Sequence, residues 1–427
     1  MFTNTYLPHV GGVAKSVDAF AREYRKRGHE CLVIAPEFEG AEESTEDVVR
    51  VPAIRNFHGS GFSVRLPDPI RIDGALHRMR PDIVHSHHPF LLGDTALRVA
   101  KGRDLPMVFT HHTLYERYTH YVPFDSELTE NLAIRLATEY ANMTDQVVAP
   151  SASVADLLRR RGVERPIAEI PTGIDLAFQQ SGDAAAARRR WNLPENALVA
   201  GHVGRLAAEK NLHYLAEAVI RYLRARENAR FLLVGDGPAR KNLGLRFAEA
   251  ELDDRVVFTG ALRGRDLADA YAAMDCFVFA STSETQGMVL AEAMGSGAPV
   301  VALDASGARE VVASGENGVL LPRNAPPEDF AAAVARLHDD PDERGRCRSG
   351  AEATARSLTQ EVCAGRMLDI YEQRIGHPKE RSRRRLTALE FEKIANRLHA
   401  EWDLLASKTS ALFGAFGRSR DRFGDME

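Results

Sequence analysis

Residues Phe277–Glu292, FVFASTSETQGMVLAE, open as an apolar strand (Phe277–Ala280), turn through a polar loop and enter a helix. A strand that is apolar without alternation suits a parallel sheet covered on both faces by helices. Glu284 stands before the helix and Glu292 two turns inside it, with seven residues between them. Gly287 lets a ligand approach the backbone closely. The amides of Gly287, Met288 and Val289, at the positive end of the helix, can meet a phosphate. Glu292 is placed for a carboxylate that accepts both hydroxyls of a ribose, and Glu284, at the mouth, for one that holds sugar hydroxyls. The run Met294-Gly295-Ser296-Gly297-Ala298-Pro299 then leads to the next strand.

The same strand–helix rhythm extends in both directions. Upstream strands are predicted at Cys31–Ala35, Asp82–His85, Met107–Thr110, Gln146–Ala149 and Ile167–Ile170, with helices at Val13–Arg27, Leu92–Ala100 and Ser151–Arg161. In the second half strands are predicted at Leu198–Val203, Phe231–Val234, Val256–Phe258, Phe277–Ala280 and Val300–Leu303. Such alternation means parallel α/β architecture. A polar, turn-rich break between Asp175 and Leu198 separates two complete runs. The expected fold is therefore α/β, with two facing doubly wound, Rossmann-like domains at residues 1–180 and 195–360. A helix at 361–377 crosses back to the first domain, and a helical tail occupies 378–427. Ligands of such sheets bind beyond the carboxyl ends of the strands, so the cleft between the domains is the expected active site.

The chain has 427 residues, 44% hydrophobic and 27% charged, with 55 Lys+Arg against 60 Asp+Glu. Those values exclude global disorder, and a net charge of −5 stands against a dedicated nucleic-acid binder. Four scattered cysteines (Cys31, Cys276, Cys347, Cys363) form no C-x-x-C pair and fit a reducing cytoplasm. No run of 18 apolar residues is present, and the start MFTNTY lacks the pattern of a signal peptide. The tail Pro378–Glu427 carries 11 basic and 8 acidic residues, a net of +3, which leaves about −8 on the body. After its basic opening comes the apolar stripe Leu386, Leu389, Ile394, Leu398, Trp402, Leu405, Leu412. Two readings stay open: a helix packed on the body or a second subunit, and an amphipathic helix on an anionic membrane surface.

Further candidates lie at strand ends. Gly11 and Gly12, between the first strand and first helix, allow close approach of a ligand, or simply make a turn. Gly204-Arg205-Leu206-Ala207-Ala208-Glu209-Lys210 follows the strand Leu198–Val203. There Arg205 can grip a diphosphate through its fork and Lys210 as a point charge; a solvated charged loop is the other reading. Gly235-Asp236-Gly237-Pro238-Ala239-Arg240 begins like a dinucleotide fingerprint, but Arg240 replaces the third glycine, so a nicotinamide site is rejected. His85, His87, His88, His111 and His112 lack a carboxylate companion motif, and no metal is expected.

Taken together, GGV near the start, GRLAAEK, VGDGP, VVFTG and the E-x7-E block SETQGMVLAEAMGSGAPVVA resemble the family 4 retaining glycosyltransferases of GT-B architecture, over about residues 1–375. The resemblance implies a nucleotide-sugar donor bound mainly by the second domain, an acceptor bound mainly by the first, and neither cofactor nor metal. By matching position it implies donor contacts from Gly11, Gly12, Gly204, Gly235, Val257, Gly287, Met288 and Val289. It places Arg205 and Lys210 on the diphosphate, Glu292 on the ribose and Glu284 on the transferred hexose. THHTLYERYTHY, Thr110–Tyr121, is similar to the bacterial diacylglycerol glucosyltransferases of that family. This implies that His112 is an active-site residue, that the donor is UDP-glucose, and that the acceptor is a membrane lipid such as diacylglycerol. The enzyme would then be cytoplasmic and peripheral on the cell membrane. Tyr115, Tyr118 and Tyr121 recur every three residues, which fits either an acceptor wall or core packing. A soluble sugar or metabolite acceptor is the alternative. The intact GRLAAEK and E-x7-E set stands against a nucleotide-sugar epimerase and against a scaffold without catalysis. One departure from the family is the start at MFTNTY, where several more residues usually complete the first strand.

Overall fold

The computed structural model describes residues 1–9, 11–38, 45, 47–54, 64–65, 69–112, 126–282 and 284–376. Tyr115, Tyr118, Tyr121 and the tail 378–427 lie outside the described residues. The chain divides into two compact units: Met1–Pro150, Val154–Ile170 and Ala364 onward form the first, Ser151–Ser153 and Pro171–Cys363 the second.

In the first unit the strands are β1 (Val33–Pro36), β2 (Val48–Val51), β3 (Ala53–Ile54), β4 (Val64–Arg65), β5 (Val84–Ser86), β6 (Met107–Thr110), β7 (Gln146–Ala149) and β8 (Ile167–Glu169). β1 pairs with β2, and β5-β6-β7-β8 follow in that order, all parallel; β3 and β4 form an antiparallel pair. Phe2 joins the two parallel parts by bridging Ile34 of β1 and Ser86 of β5. Its amide donates to the His85 carbonyl at 2.8 Å, and its carbonyl accepts from the His87 amide at 2.9 Å. Phe2, Ile34, Val84, Leu92, Phe109, Tyr140 and Val147 meet in the core, where the helix Leu92–Gly102 presents Leu92, Ala96, Leu97 and Ala100 at helical spacing.

The second unit carries β9 (Leu198–Val203), β10 (Ala229–Val234), β11 (Val256–Gly260), β12 (Cys276–Phe279), β13 (Val300–Leu303) and β14 (Gly318–Leu321). Their order is β11-β10-β9-β12-β13-β14, every pair parallel. Strand order therefore reverses between β9 and β12, the place where doubly wound sheets open a ligand crevice. One sheet face buries Leu215, Val219, Tyr222, Phe231 and Phe247; the other buries Tyr271, Phe277, Leu290 and Met294. That two-sided burial is why these strands read as continuous apolar runs.

The stretch read as a break contains two short helices, Leu176–Gln180 and Ala184–Arg190, and both belong to the second unit. Each opens on an aspartate cap: Asp175 accepts from the Phe178 amide and Asp183 from the Ala186 amide. Gly182 lies so close to Ala268 that a Cβ there would stand 2.2 Å from its carbonyl oxygen. The short, largely polar helices gave too little apolar periodicity to be recognised. Strands β2 and β14 were also unread, both being four residues long at sheet edges.

The last described helix, Gln360–Gly376, passes from the second unit into the first at Ala364. There the Tyr371 hydroxyl meets Nδ1 of His85 and accepts from the Tyr24 hydroxyl at 3.3 Å. All four cysteines are buried. Among the described residues no helix is long and apolar enough to cross a membrane.

Candidate active site

Two loops beyond the carboxyl ends of β9 and β10 are laced together. The Gly204 amide donates to the Val234 carbonyl (3.0 Å), the Leu206 amide to the Asp236 carbonyl (2.9 Å), and the Ala239 amide back to the Leu206 carbonyl (2.9 Å). Gly235 has φ +138°, and a Cβ on it would stand 1.8 Å from the Gly204 carbonyl oxygen. The false fingerprint GDGP is thus a strap that sets the height of the GRL loop. Gly235→Ala is expected to destabilise the second unit by ~3 kcal/mol through backbone strain and overpacking. An unfolding free energy that stays within ~1 kcal/mol of the parent's would refute that role.

On the strapped loop Arg205 is exposed, and its side chain makes no hydrogen bond or ion pair with a described residue. Lys210 ends the loop and is paired with Glu284; both side chains are about one-fifth exposed. The Ser281 hydroxyl donates to the same Glu284 oxygen at 3.0 Å and lies 3.3 Å from the Glu209 carbonyl, so it links the two loops. The carboxylate loop is held from outside as well. Ser151 Oγ donates to the Thr285 carbonyl (2.7 Å), and the Thr172 amide to Gln286 Oε1 (3.0 Å).

Gly287 adopts φ +66° at the N-cap of the helix Met288–Gly295, and no side chain caps that helix. A Cβ on Gly287 would stand 2.2 Å from the Gly307 carbonyl oxygen. The space freed by this glycine is therefore filled by the Gly307 backbone, where the sequence suggested room for a ligand. Met288 and Val289 lie half-buried on the first turn. Glu292, also half-buried, accepts from the Tyr271 hydroxyl at 2.8 Å. Tyr271 is fully buried, and burial followed by the Glu292 charge holds its phenol well above the usual range, so it stays a donor. Val257 sits on β11 in register with Leu232.

Below the GRL loop is a residue the sequence did not single out. His202 of β9 is fully buried, its ring stacked with Phe277 and Phe279. Its Nδ1 lies 3.0 Å from the Val278 carbonyl, and a Cβ on Gly204 would be 3.4 Å from its Nε2. Burial pushes its pKa down to about 4, so the floor of the loop is uncharged.

In the first unit, strand ends carry the histidines. His85 Nε2 meets Thr110 Oγ1 at 2.7 Å, and His88 Nδ1 accepts from the Asn4 amide at 3.0 Å. His87 Nδ1 and His112 Nε2 lie 2.9 Å apart. Burial drives all four imidazoles toward the neutral form, His88 and His112 to about 3 and His85 and His87 well below the ordinary value. Four of the five histidines thus spend a ring nitrogen on another protein group and not on a common centre. Among the described residues no group of three or more His, Cys, Asp or Glu could hold a metal. Gly11 is extended (φ −159°) at the N-cap of Gly12–Lys26, and a Cβ on Gly12 would meet nothing within 4 Å. Neither glycine is demanded by its backbone or its packing. The structure thus groups Gly204, Arg205, Lys210, Gly235, Glu284, Gly287 and Glu292 in the second unit, and His112 with Gly11 and Gly12 in the first.

Residues 10–178 match the model of Glycosyltransferase Family 4, and residues 197–340 that of Glycosyl transferases group 1. The chain is 30% identical to an alpha-monoglucosyldiacylglycerol synthase of Streptococcus pneumoniae, over 71% of this chain and 70% of that protein. It is 32% identical to a GDP-mannose-dependent alpha-mannosyltransferase of Mycobacterium tuberculosis, over 86% and 94%. Among solved structures, Anabaena HepE in complex with UDP superposes with a TM-score of 0.68 at 21% identity, covering 87% of this chain and 98% of that one. Two Rossmann-like domains, this likeness of fold and the matches along both halves give one result: the chain belongs to glycosyltransferase family 4, a glycosyl-transferring enzyme of the GT-B fold.

Proposed function

We propose that the chain is a retaining hexosyltransferase that moves glucose from UDP-glucose to a membrane lipid such as diacylglycerol, without a metal. The observation that carries this reading is the pairing of Lys210 with Glu284 beside the exposed Arg205 on one strapped loop. Cleavage of the anomeric bond puts negative charge on the leaving diphosphate and positive charge on the sugar ring. Arg205, Lys210 and the helix start at Met288 answer the first; Glu284 holds hydroxyls of the second. The bond from the anomeric carbon to the phosphate oxygen breaks as the acceptor oxygen bonds on the same face, and the acceptor proton passes to that phosphate oxygen. Glu292 takes the ribose, with Tyr271 fixing its orientation. His112 orients the transferred sugar or the acceptor, which it binds together with Tyr115 and Tyr118. The streptococcal relative supports a lipid acceptor. The basic opening of the tail supports attachment to an anionic surface from the cytoplasmic side.

A second donor, GDP-mannose, is favoured by the mycobacterial relative. Incubation with labelled UDP-, GDP- and ADP-sugars and a total lipid extract separates the readings. Label from UDP-glucose is expected in the organic phase, in an α-linked product. Label drawn only from GDP-mannose overturns the donor, and label confined to the aqueous product overturns the lipid acceptor. Sedimentation with anionic vesicles is expected for the full chain and lost without residues 378–427; equal sedimentation of both forms counts against the tail.

A further inference from the structure

His87 and His112 share a single hydrogen bond, Nδ1 to Nε2 at 2.9 Å, with their rings stacked at 5.2 Å and 23°. Both side chains are buried. Two neutral imidazoles joined this way hold one proton between them, so the tautomer of one dictates that of the other. The choice is made at the far side of His87. Its Nε2 is buried, has no hydrogen-bond partner among the described residues, and lies in a ring packed 4.1 Å from that of His85. His85 offers it nothing, since Tyr371 and Thr110 occupy both of its own nitrogens. A proton on His87 Nε2 would be an orphaned buried N–H, whereas a proton on Nδ1 leaves only a bare lone pair there and completes the bond to His112.

We propose that His87 is a positioning residue whose Nδ1–H donates to His112 Nε2, fixing His112 as the Nδ1–H tautomer so that it offers a hydrogen-bond donor to an oxygen of the bound glycosyl donor. This rests on the assignment of His112 to glycosyl transfer. Free imidazole side chains in water favour the Nε2–H form, so the pairing reverses the ordinary preference. It also leaves Nδ1 as the ring nitrogen of His112 that makes no hydrogen bond with a described residue. A site built this way rewards an accepting oxygen and gives nothing to a hydroxyl that must donate.

The test is long-range 1H–15N correlation on the full chain labelled at histidine, with His112 assigned by loss of its signals in His112→Gln. The parent protein is expected to show the Nδ1–H pattern at His112. His87→Phe is expected to move it to the Nε2–H pattern and to lower transfer from UDP-glucose about tenfold, chiefly in kcat. His87→Asn, whose amide can donate from the position of Nδ1, is expected to restore both. Adding UDP and then UDP-glucose distinguishes a phosphate from a sugar oxygen by which addition shifts Nδ1. An Nε2–H pattern in the parent, or an unchanged pattern in a folded His87→Phe, overturns the proposal. If the pattern moves while transfer does not, the tautomer coupling holds, and it is the role of His112 in transfer that is overturned.

Discussion

Lys210→Ala is expected to lower glycosyl transfer by ~10²–10³-fold, the usual cost of removing one preorganised charge stabiliser from a leaving group. Glu284 keeps the ammonium where it is, because a pair four-fifths buried on both sides holds its geometry better than a solvated one. Under the proposed function, donor entry exchanges that carboxylate partner for phosphate oxygens. The two members of the pair are therefore expected to fail differently. Lys210→Ala weakens both UDP binding and transfer, since the diphosphate loses a cation. Glu284→Gln keeps the cation and removes its competitor, so UDP binds as tightly as before or tighter, while transfer falls because the sugar loses a charged acceptor. UDP titration beside steady-state transfer measures both. Near-normal transfer in both variants would remove the pair from the site.

Acid is expected to open the first unit before the second. His88 and His112 carry pKa values near 3 in the folded chain against 6.5 for an exposed imidazole, with burial as the leading cause. Between those values the unfolded chain binds the proton and the folded chain does not, so stability is complete above pH 6.5 and lost as pH falls. At pH 5 each of the two costs ~2 kcal/mol, and His85 and His87 act in the same direction. A loss of that size is a large share of the ~5–15 kcal/mol that holds a domain. In the second unit His202, lowered to about 4, and the partly exposed His338 act in the same direction, against four buried imidazoles in the first. Thermal scans at pH 7.5 and 5.0 should show the first-unit transition falling further than that of the second. Equal shifts, or none, would mean that the histidines are not held neutral.

Where the sheet is covered on both sides, the sequence was enough: β6, β7, β9 and β13 fall on the residues expected, because continuous apolar runs flanked by turns have few other solutions. The carboxylate helix was equally legible, since Glu284, Gly287 and Glu292 lie within one strand–turn–helix unit. What escaped depends on partners far along the chain. Nothing near Lys210 announces Glu284, 74 residues on, and nothing near His112 announces His87. The packing of Gly287 was hidden for the same reason, its neighbour Gly307 being brought in by the fold. His202 sits on an apolar strand where only its aromatic neighbours and the overlying loop give it meaning.

The Tyr371–His85 contact, across 286 residues, also sets an order of assembly. The second unit is read out by the ribosome as an insertion within the first, from Pro171 to Cys363, and all of its strands are available before Ala364 emerges. The first unit by contrast waits for nearly the whole chain, since the hydroxyl that meets its buried His85 arrives last. During synthesis His85 thus gains one of its two ring-nitrogen partners late. A chain released from the ribosome only as far as residue 363 would hold all residues of the second unit, and a first unit whose His85 still lacks the Tyr371 hydroxyl.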